Sequence, residues 1–489
     1  MQSGGKMDLN TQNLESLLSK NLDICFKKIY VGLNKTIRIT IVYIEGLTEK
    51  EHLSNFIIKP LLEGPDFRHA EKEKEVITLI ESGGLYYPLS NKLKDIDSAV
   101  SSLFKGNVLL VFDEESVSFS FEVQGFEKRA ITEPSSENVI KGPKDTFVED
   151  LMTNISTVRR RIASPDLIIE KTTVGQQTKT TVALIYHKGI ANEDIVDDIR
   201  RRIDSIRIDG VFSTAYLEEY LISKKYSPFP QIIFTERPDK FSSNIIEGRV
   251  GIIIDGFPTA LILPATLVAL MQAPEDYSTN FLVSSQIRFL RYLLIIVTLF
   301  LPGFYIAVTS FHHEMLPTVL ILSVKVAKEG VPFPTFLETI ALLIAFEILV
   351  EAGIRLPKSI GQALSIVGAV VVGQAAAQAK LSSPAVVVLI SVTAISNFVL
   401  PNQDLSNAIR LWRLIIAIAS SIAGLFGMCI GGLFLLCHLC SIENYGVPYL
   451  SPFVSSTNPQ FQDTFIRSPV RLMKKRPIDL KTLNKKRID

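Results

Sequence analysis

The sequence predicts an α+β protein: an N-terminal soluble half of two similar α/β units, followed by a polytopic α-helical membrane domain. Three observations carry this. The 489 residues exceed what one hydrophobic core supports. Hydrophobic residues make up 47% and mean hydropathy is +0.28, but the apolar content is uneven. Charge clusters such as HAEKEKE (69–75) and DDIRRRIDSIRID (197–209) fall in the first half, and apolar runs of spanning length begin only after about residue 290. Finally, the first half repeats one pattern.

The repeat is legible in TIRITIVYIEGLTEKEHLSNFIIKPLL (36–62) and KTTVALIYHKGIANEDIVDDIRRRIDSI (179–206). Each has a β-branched apolar run, then Tyr, then Gly three residues on (Tyr43 and Gly46, Tyr186 and Gly189), and continues into an amphipathic helix. Further along, GNVLLVFD (106–113) and GRVGIIID (248–255) each open on Gly and end on Asp. Tyr43 to Gly106 is 63 residues and Tyr186 to Gly248 is 62, as expected for a duplicated unit. The turn-rich ITEPSSENVIKGPKD (131–145) reads as a linker. The expected boundaries are an extension over 1–35, a first unit over 36–130, a linker over 131–164 and a second unit over 165–258. A membrane domain over 259–441 and a basic tail over 442–489 follow. No GxxxxGK[ST] or GxGxxG run occurs. Asp113 and Asp255 end strands, where α/β ligand sites lie and where Asp also caps turns.

A net charge of +1 supplies no field for nucleic acid. Four cysteines, Cys25, Cys429, Cys437 and Cys440, are too scattered for a disulfide scaffold. The polar start MQSGGKMDLNTQN lacks the apolar core of a signal peptide, so the soluble half is expected in the cytoplasm.

In the second half, the stretch 252–272 is broken by Pro258 and Pro264 and reads as interfacial or re-entrant. Spanning candidates are 292–310, 335–352, 360–378, 384–400 and 412–438, with Pro302-Gly303 a kink site in the first. Arg288 and Arg291 place its start on the cytoplasmic side, and the short, Lys-bearing 316–328 suits the interface. Five crossings would put the basic tail (470–487) outside, against the positive-inside rule, so one segment is re-entrant or half-length, or 252–272 crosses.

The polar residues within the apolar runs are the candidate site. Thr335 to Glu338 has capping-box spacing after Pro334. Glu347, Glu351 and Arg355, spaced four apart, share one helix face. A carboxylate at the depth of Glu347 must be paired, protonated or wetted, so it marks either a fixed pair that locks packing or a polar path. On the next helix Gly361, Ser365, Gly368, Val372 and Ala375 form a small-residue face, and Gln374 and Gln378 are four apart. Such a face suits a tight helix pair or symmetry copies about a narrow pore. The lone CxxC of Cys437 and Cys440 has too few ligands for zinc, and no catalytic constellation stands out, so neither cofactor nor enzyme activity is expected.

From about residue 145 to 480 the chain resembles the A subunits of the spore germinant receptors of endospore-forming bacteria, the GerA-type family. The resemblance rests on SPFPQIIFTERPDK (227–240), EGRVGIIIDGFP (247–258), EDY (275–277), VPFP (331–334), EAGIRLPKSIGQALSIVGAVVVGQAA (351–376), YGVPYLSP (445–452) and DTFIRSPVRLMKKRP (463–477). Val350 departs from the family, which has a basic residue there. The resemblance implies a multi-pass protein of the inner spore membrane. It also implies a transporter-like B subunit and a lipoprotein C subunit as partners, and a ring-shaped homo-oligomer that provides an ion path. Glu347, Glu351, Arg355 and the residues of the following helix then become candidates for pore or gating. A secondary transporter with coupling carboxylates and a membrane scaffold that recruits partners are the alternatives.

Overall fold

Alternating apolar residues in ICFKKIYV and IRITIVYI make an antiparallel pair, β1 (Ile24–Val31) and β2 (Ile37–Ile44), with Ile24 opposite Ile44. The computed structural model describes residues 8–32, 35–88, 91–125, 137, 139, 141–355, 373–454, 461 and 463–487. Strands β3 (Asn91–Leu93), β4 (Val108–Phe112) and β5 (Val117–Phe121) complete a sheet of order β1-β2-β4-β5-β3. The second sheet consists of β6 (Leu167–Val174), β7 (Thr180–His187), β8 (Ile233–Thr235), β9 (Val250–Ile254) and β10 (Ala260–Leu263). Its order, β6-β7-β9-β10-β8, matches the first strand for strand, and neighbouring strands in both sheets are antiparallel.

Both faces of the first sheet are covered, which is why its central strands are continuously apolar. Ile39 and Ile41 face a core with Ile57, Phe67 and Val76. Val42 and Ile44 face Leu14 of helix α1 (Thr11–Leu18) and Leu103 and Phe104 of α2 (Ile96–Phe104). The second unit carries α3 (Leu151–Arg161), α4 (Glu193–Ser205) and α5 (Pro238–Ile246).

The likeness of the two units extends to their hydrogen bonds. Gly106, at φ +93, closes α2, and Gly248, at φ +101, closes α5. In this left-handed conformation glycine carries no steric penalty. The amide of Asn107 then donates to the carbonyl of Ser102 (3.3 Å), and that of Arg249 to Asn244 (3.1 Å). Asp113 accepts from the first amide of α1, Thr11 (2.7 Å), and Asp255 from the first amide of α3, Leu151 (3.3 Å). Both strand-end aspartates therefore serve helix N-termini.

A buried ion pair joins the two sheets. Arg159 on α3 and Asp23 ahead of β1 are both fully buried and bonded through two nitrogens, each at 2.9 Å. The guanidinium also donates to the carbonyl of Leu167 and to Asn21, and stacks on Phe104.

The C-terminal tail folds onto the second unit. Leu483 donates to the Ile190 carbonyl at 3.1 Å, and Arg476 to that of Ile246 at 2.9 Å. In the first unit the corresponding bond runs from Gly125 to Leu47, also at 3.1 Å. The segment after β5 thus supplies its own unit with what the tail supplies to the second.

By its contacts the chain forms two compact units, one from residues 1–222, 232–264 and 474–489, the other from 223–231 and 265–473. The second is helical: α6 (Phe281–Ser310), α7 (Thr318–Ala327), α8 (Thr335–Arg355), α9 (Pro384–Phe398) and α10 (Gln403–Cys440). Two of these, α6 and α10, are long and apolar enough to cross a membrane. Helix α9 has only 15 residues, bounded by Pro384 and the Pro401 turn. The candidate at 360–378 lies mostly outside the described residues, of which 373–378 are helical.

Several boundaries differ from the sequence reading. The extension expected over 1–35 holds α1 and β1, whose apolar residues enter the first core. The expected linker contains α3, N-capped by Asp150 and held as well by the bond from the Leu151 amide to Asp255. The stretch 252–272 is neither interfacial nor re-entrant: it contains most of β9 and all of β10, because its apolar residues complete the second sheet, with Pro258 in the connection between the two strands and Pro264 directly after β10. Nor is 412–438 one straight span. Trp412 and His438 have ring centroids 5.6 Å apart, whereas a straight helix would separate them by about 39 Å. The chain doubles back at Ala423 (φ −131°) and Gly424 (φ 57°, ψ −138°). The arms, 403–422 and 425–440, are about 30 and 24 Å long.

Candidate functional site

Helix α8 presents Glu347 to the first arm of α10. Its carboxylate accepts from Arg413 (2.5 Å) and Arg410 (2.7 Å). Arg413 is 3% exposed and Arg410 16%, whereas the carboxylate retains 34%. Arg410 also donates to Asn407. The partner that Glu347 lacks on its own helix is therefore on another one. The two arginines are three residues apart, on one face of an otherwise apolar arm (RLWRLIIAIAS), a spacing that marks them as a pair.

Two cations on one carboxylate leave a local excess of positive charge. An ionic cluster among apolar helices carries a desolvation penalty of several kcal/mol per ion, offset only while the geometry holds.

The other predicted residues are placed as follows. Glu351, one turn on, is exposed in the single chain. The side chain of Arg355 and the residues Gly361, Ser365, Gly368 and Val372 lie outside the described set. Gln374, Ala375 and Gln378 are exposed on the helical segment 373–378, and Gly373 packs against Val387. Glu338 is fully buried, and its carboxylate accepts from the Ser383 amide (3.0 Å), so it caps α9 rather than its own helix. Lys328 balances its charge at 3.5 Å.

At the head of α6 is a network that sequence reading reduced to a sidedness signal. Arg288 donates to Asp276 (2.8 Å) and Asp463 (2.6 Å), Arg291 donates to Asp276 (2.8 Å), and Tyr277 donates to Asp463 (2.6 Å). The EDY and DTFIR motifs thus meet on one helix end. Deeper along α6, Gly303 faces Ser420, where a Cβ would approach within 2.6 Å, so α6 and α10 touch backbone to side chain. His438 bonds Ser227 (2.9 Å) and lies between Trp412 and Phe229. Among the described residues no cluster of three His, Cys, Asp or Glu side chains is suited to a metal.

The model of the Bacillus/Clostridium GerA spore germination protein family matches residues 12–478, nearly the whole chain. The chain belongs to the GerA spore germination protein family. Among its relatives is spore germination protein KA of Bacillus subtilis (strain 168), 36% identical over 469 residues, 96% of this chain and 85% of that one. Spore germination protein B1 of the same organism is 35% identical over 98% of each chain. A crystal structure of the N-terminal domain of the A subunit of the Bacillus megaterium spore germinant receptor GerK3 is 28% identical, with a TM-score of 0.42, covering 54% of this GerA-family chain and 99% of that one. The family resemblance read from the sequence is borne out.

Proposed function

We propose that this GerA-family chain is the membrane subunit of a nutrient receptor that triggers spore germination, and that it forms or gates a cation path in a ring-shaped oligomer. A transporter-like B subunit and a lipoprotein C subunit are its partners, and lipid surrounds its helices. The observation that carries the reading is Glu347 held between Arg410 and Arg413. In the closed state the three form a latch between α8 and the α10 hairpin. Opening separates them, and Glu347, with the face from Gly361 to Ala375, Gln374 and Gln378, then borders the path. Carboxylate-lined paths favour cations.

Connectivity supports a multi-pass arrangement. The chain leaves the two-sheet unit at residue 264 and returns to it at residue 474. An excursion through a bilayer that ends on the side where it began has an even number of crossings. Counting the two arms of α10 separately turns the five sequence candidates into six, and the soluble half and basic tail both lie in the cytoplasm.

The test is conductance of the purified chain in planar bilayers with its B and C partners. Nutrient-dependent cation current supports the reading. Silence with all partners and nutrient present shifts the account to a scaffold.

A further inference from the structure

A segment that follows the α10 hairpin is built firmly into the head of α6 and still leaves its apolar side chains bare. In DTFIRSPVRL (463–472), Asp463 accepts from Arg288 and Tyr277, each at 2.6 Å. Arg467 is 6% exposed; its amide donates to the Ser285 hydroxyl at 3.1 Å and its guanidinium lies over the Tyr277 ring. Phe465 packs on Tyr292, with ring centroids 4.7 Å apart. On this fixed frame Ile466 is 65% exposed, Val470 60% and Leu472 61%. Large apolar side chains held bare on an anchored segment mark an interaction surface.

Two observations say what covers it. The first is depth. Helix α6 has 30 residues, about 45 Å, and a hydrocarbon layer takes only about 20 of them. Counted back from Ser310, that layer begins near Arg291, so the turns before it lie at headgroup level. Leu282, Val283, Phe289 and Leu290 are exposed there, and the contacts with Ser285 and Tyr292 put residues 465–467 at the same level. The second is charge. Residues 464–478 contain five Lys or Arg and no Asp or Glu, and Arg471, Lys474 and Lys475 are exposed. Basic residues immediately beside a membrane helix attract anionic headgroups.

We propose that residues 465–472 are an interfacial foot: Ile466, Val470 and Leu472 enter the headgroup layer of an anionic leaflet, and Arg471 pairs with its phosphates. The apolar side chains supply the insertion and the guanidinium the preference for anionic lipid. The inference rests on the membrane placement of α6 in the proposed function, and not on the ion path.

Photo-crosslinking of the full chain in lipid nanodiscs tests it. Benzoylphenylalanine is placed singly at Ile466, at Leu472 and, as a marker of the span itself, at the exposed Ile296 of α6. The discs hold phosphatidylcholine with phosphatidylglycerol as the anionic lipid, and captured lipid is read by mass spectrometry. Lipid is captured at all three positions. At Leu472 phosphatidylglycerol exceeds its share of the disc lipid at least about twofold, and Arg471→Glu removes the excess. Capture at Ile296 but not at both Ile466 and Leu472, or capture of a second copy of the chain there instead of lipid, would overturn the assignment alone. So would capture in proportion to disc composition, or an excess that survives Arg471→Glu. No lipid at Ile296 either would overturn the membrane placement with it.

Discussion

Arg159 and Asp23 form a fully buried, two-nitrogen ion pair between elements 136 residues apart. Such a pair contributes little relative to a well-packed apolar replacement, but breaking it leaves a buried charge uncompensated. Arg159→Leu is therefore expected to destabilise the chain by about 3–5 kcal/mol. Equilibrium urea unfolding of Arg159→Leu, Asp23→Leu and the double variant checks this. The double variant should recover a large part of the loss, the non-additivity expected of direct partners.

The strand-end aspartates predict a second set of stability changes. Asp113→Ala and Asp255→Ala should each cost about 1 kcal/mol, as lost helix N-caps do. Because the sites share no partner, their effects should add in thermal unfolding.

Asp113 also gives stability a pH dependence. Burial alone would raise its pKa, but the Thr11 amide and hydroxyl and the Arg38 guanidinium outweigh that and hold the carboxyl below its ordinary value. A folded pKa below the unfolded one means that the stabilisation is fully present above the unfolded value, about 3.9, and is lost as pH falls through the folded value. Unfolding midpoints measured from pH 6 down to pH 3 should fall less steeply for Asp113→Asn than for the parent.

Gly424 makes the α10 hairpin possible. At φ 57°, ψ −138° the backbone is in glycine's territory, and an added Cβ would approach His312 within 2.9 Å and Phe311 within 3.0 Å. Gly424→Ala should cost about 1–3 kcal/mol and lower membrane-inserted protein, as read by quantitative immunoblot and melting in detergent.

The tail should behave as a docked segment. Leu480 is 1% exposed, so Leu480→Asp should release residues 474–487 and speed hydrogen exchange at the Leu483 amide, which Ile190 accepts in the parent.

Much of the soluble half was legible in the sequence because strand periodicity and chain-reversing glycines are local signals. The Tyr–Gly and Gly–Asp landmarks fall on equivalent strands and turns. The helices of each repeat that precede its landmarks were missed, since TQNLESLL is barely longer than two turns and α3 follows a turn-rich stretch. In the helical half, Glu347 stood out as a carboxylate in an apolar run, but its partners lie 63 and 66 residues away. No periodicity spans such a distance. The α10 fold-back was equally hidden, because Gly424 is one of four glycines in an apolar run (Gly424, Gly427, Gly431 and Gly432) with no polar turn residue beside it.

The central claim is that Glu347 latches a cation path, and the most direct measurement is nutrient-triggered cation release from spores carrying Glu347→Gln at parental protein abundance. Neutralising the carboxylate removes the hold of Arg410 and Arg413, so the account predicts release at a nutrient dose at least threefold lower, or without nutrient. A dose–response curve that superimposes on the parent's would contradict it.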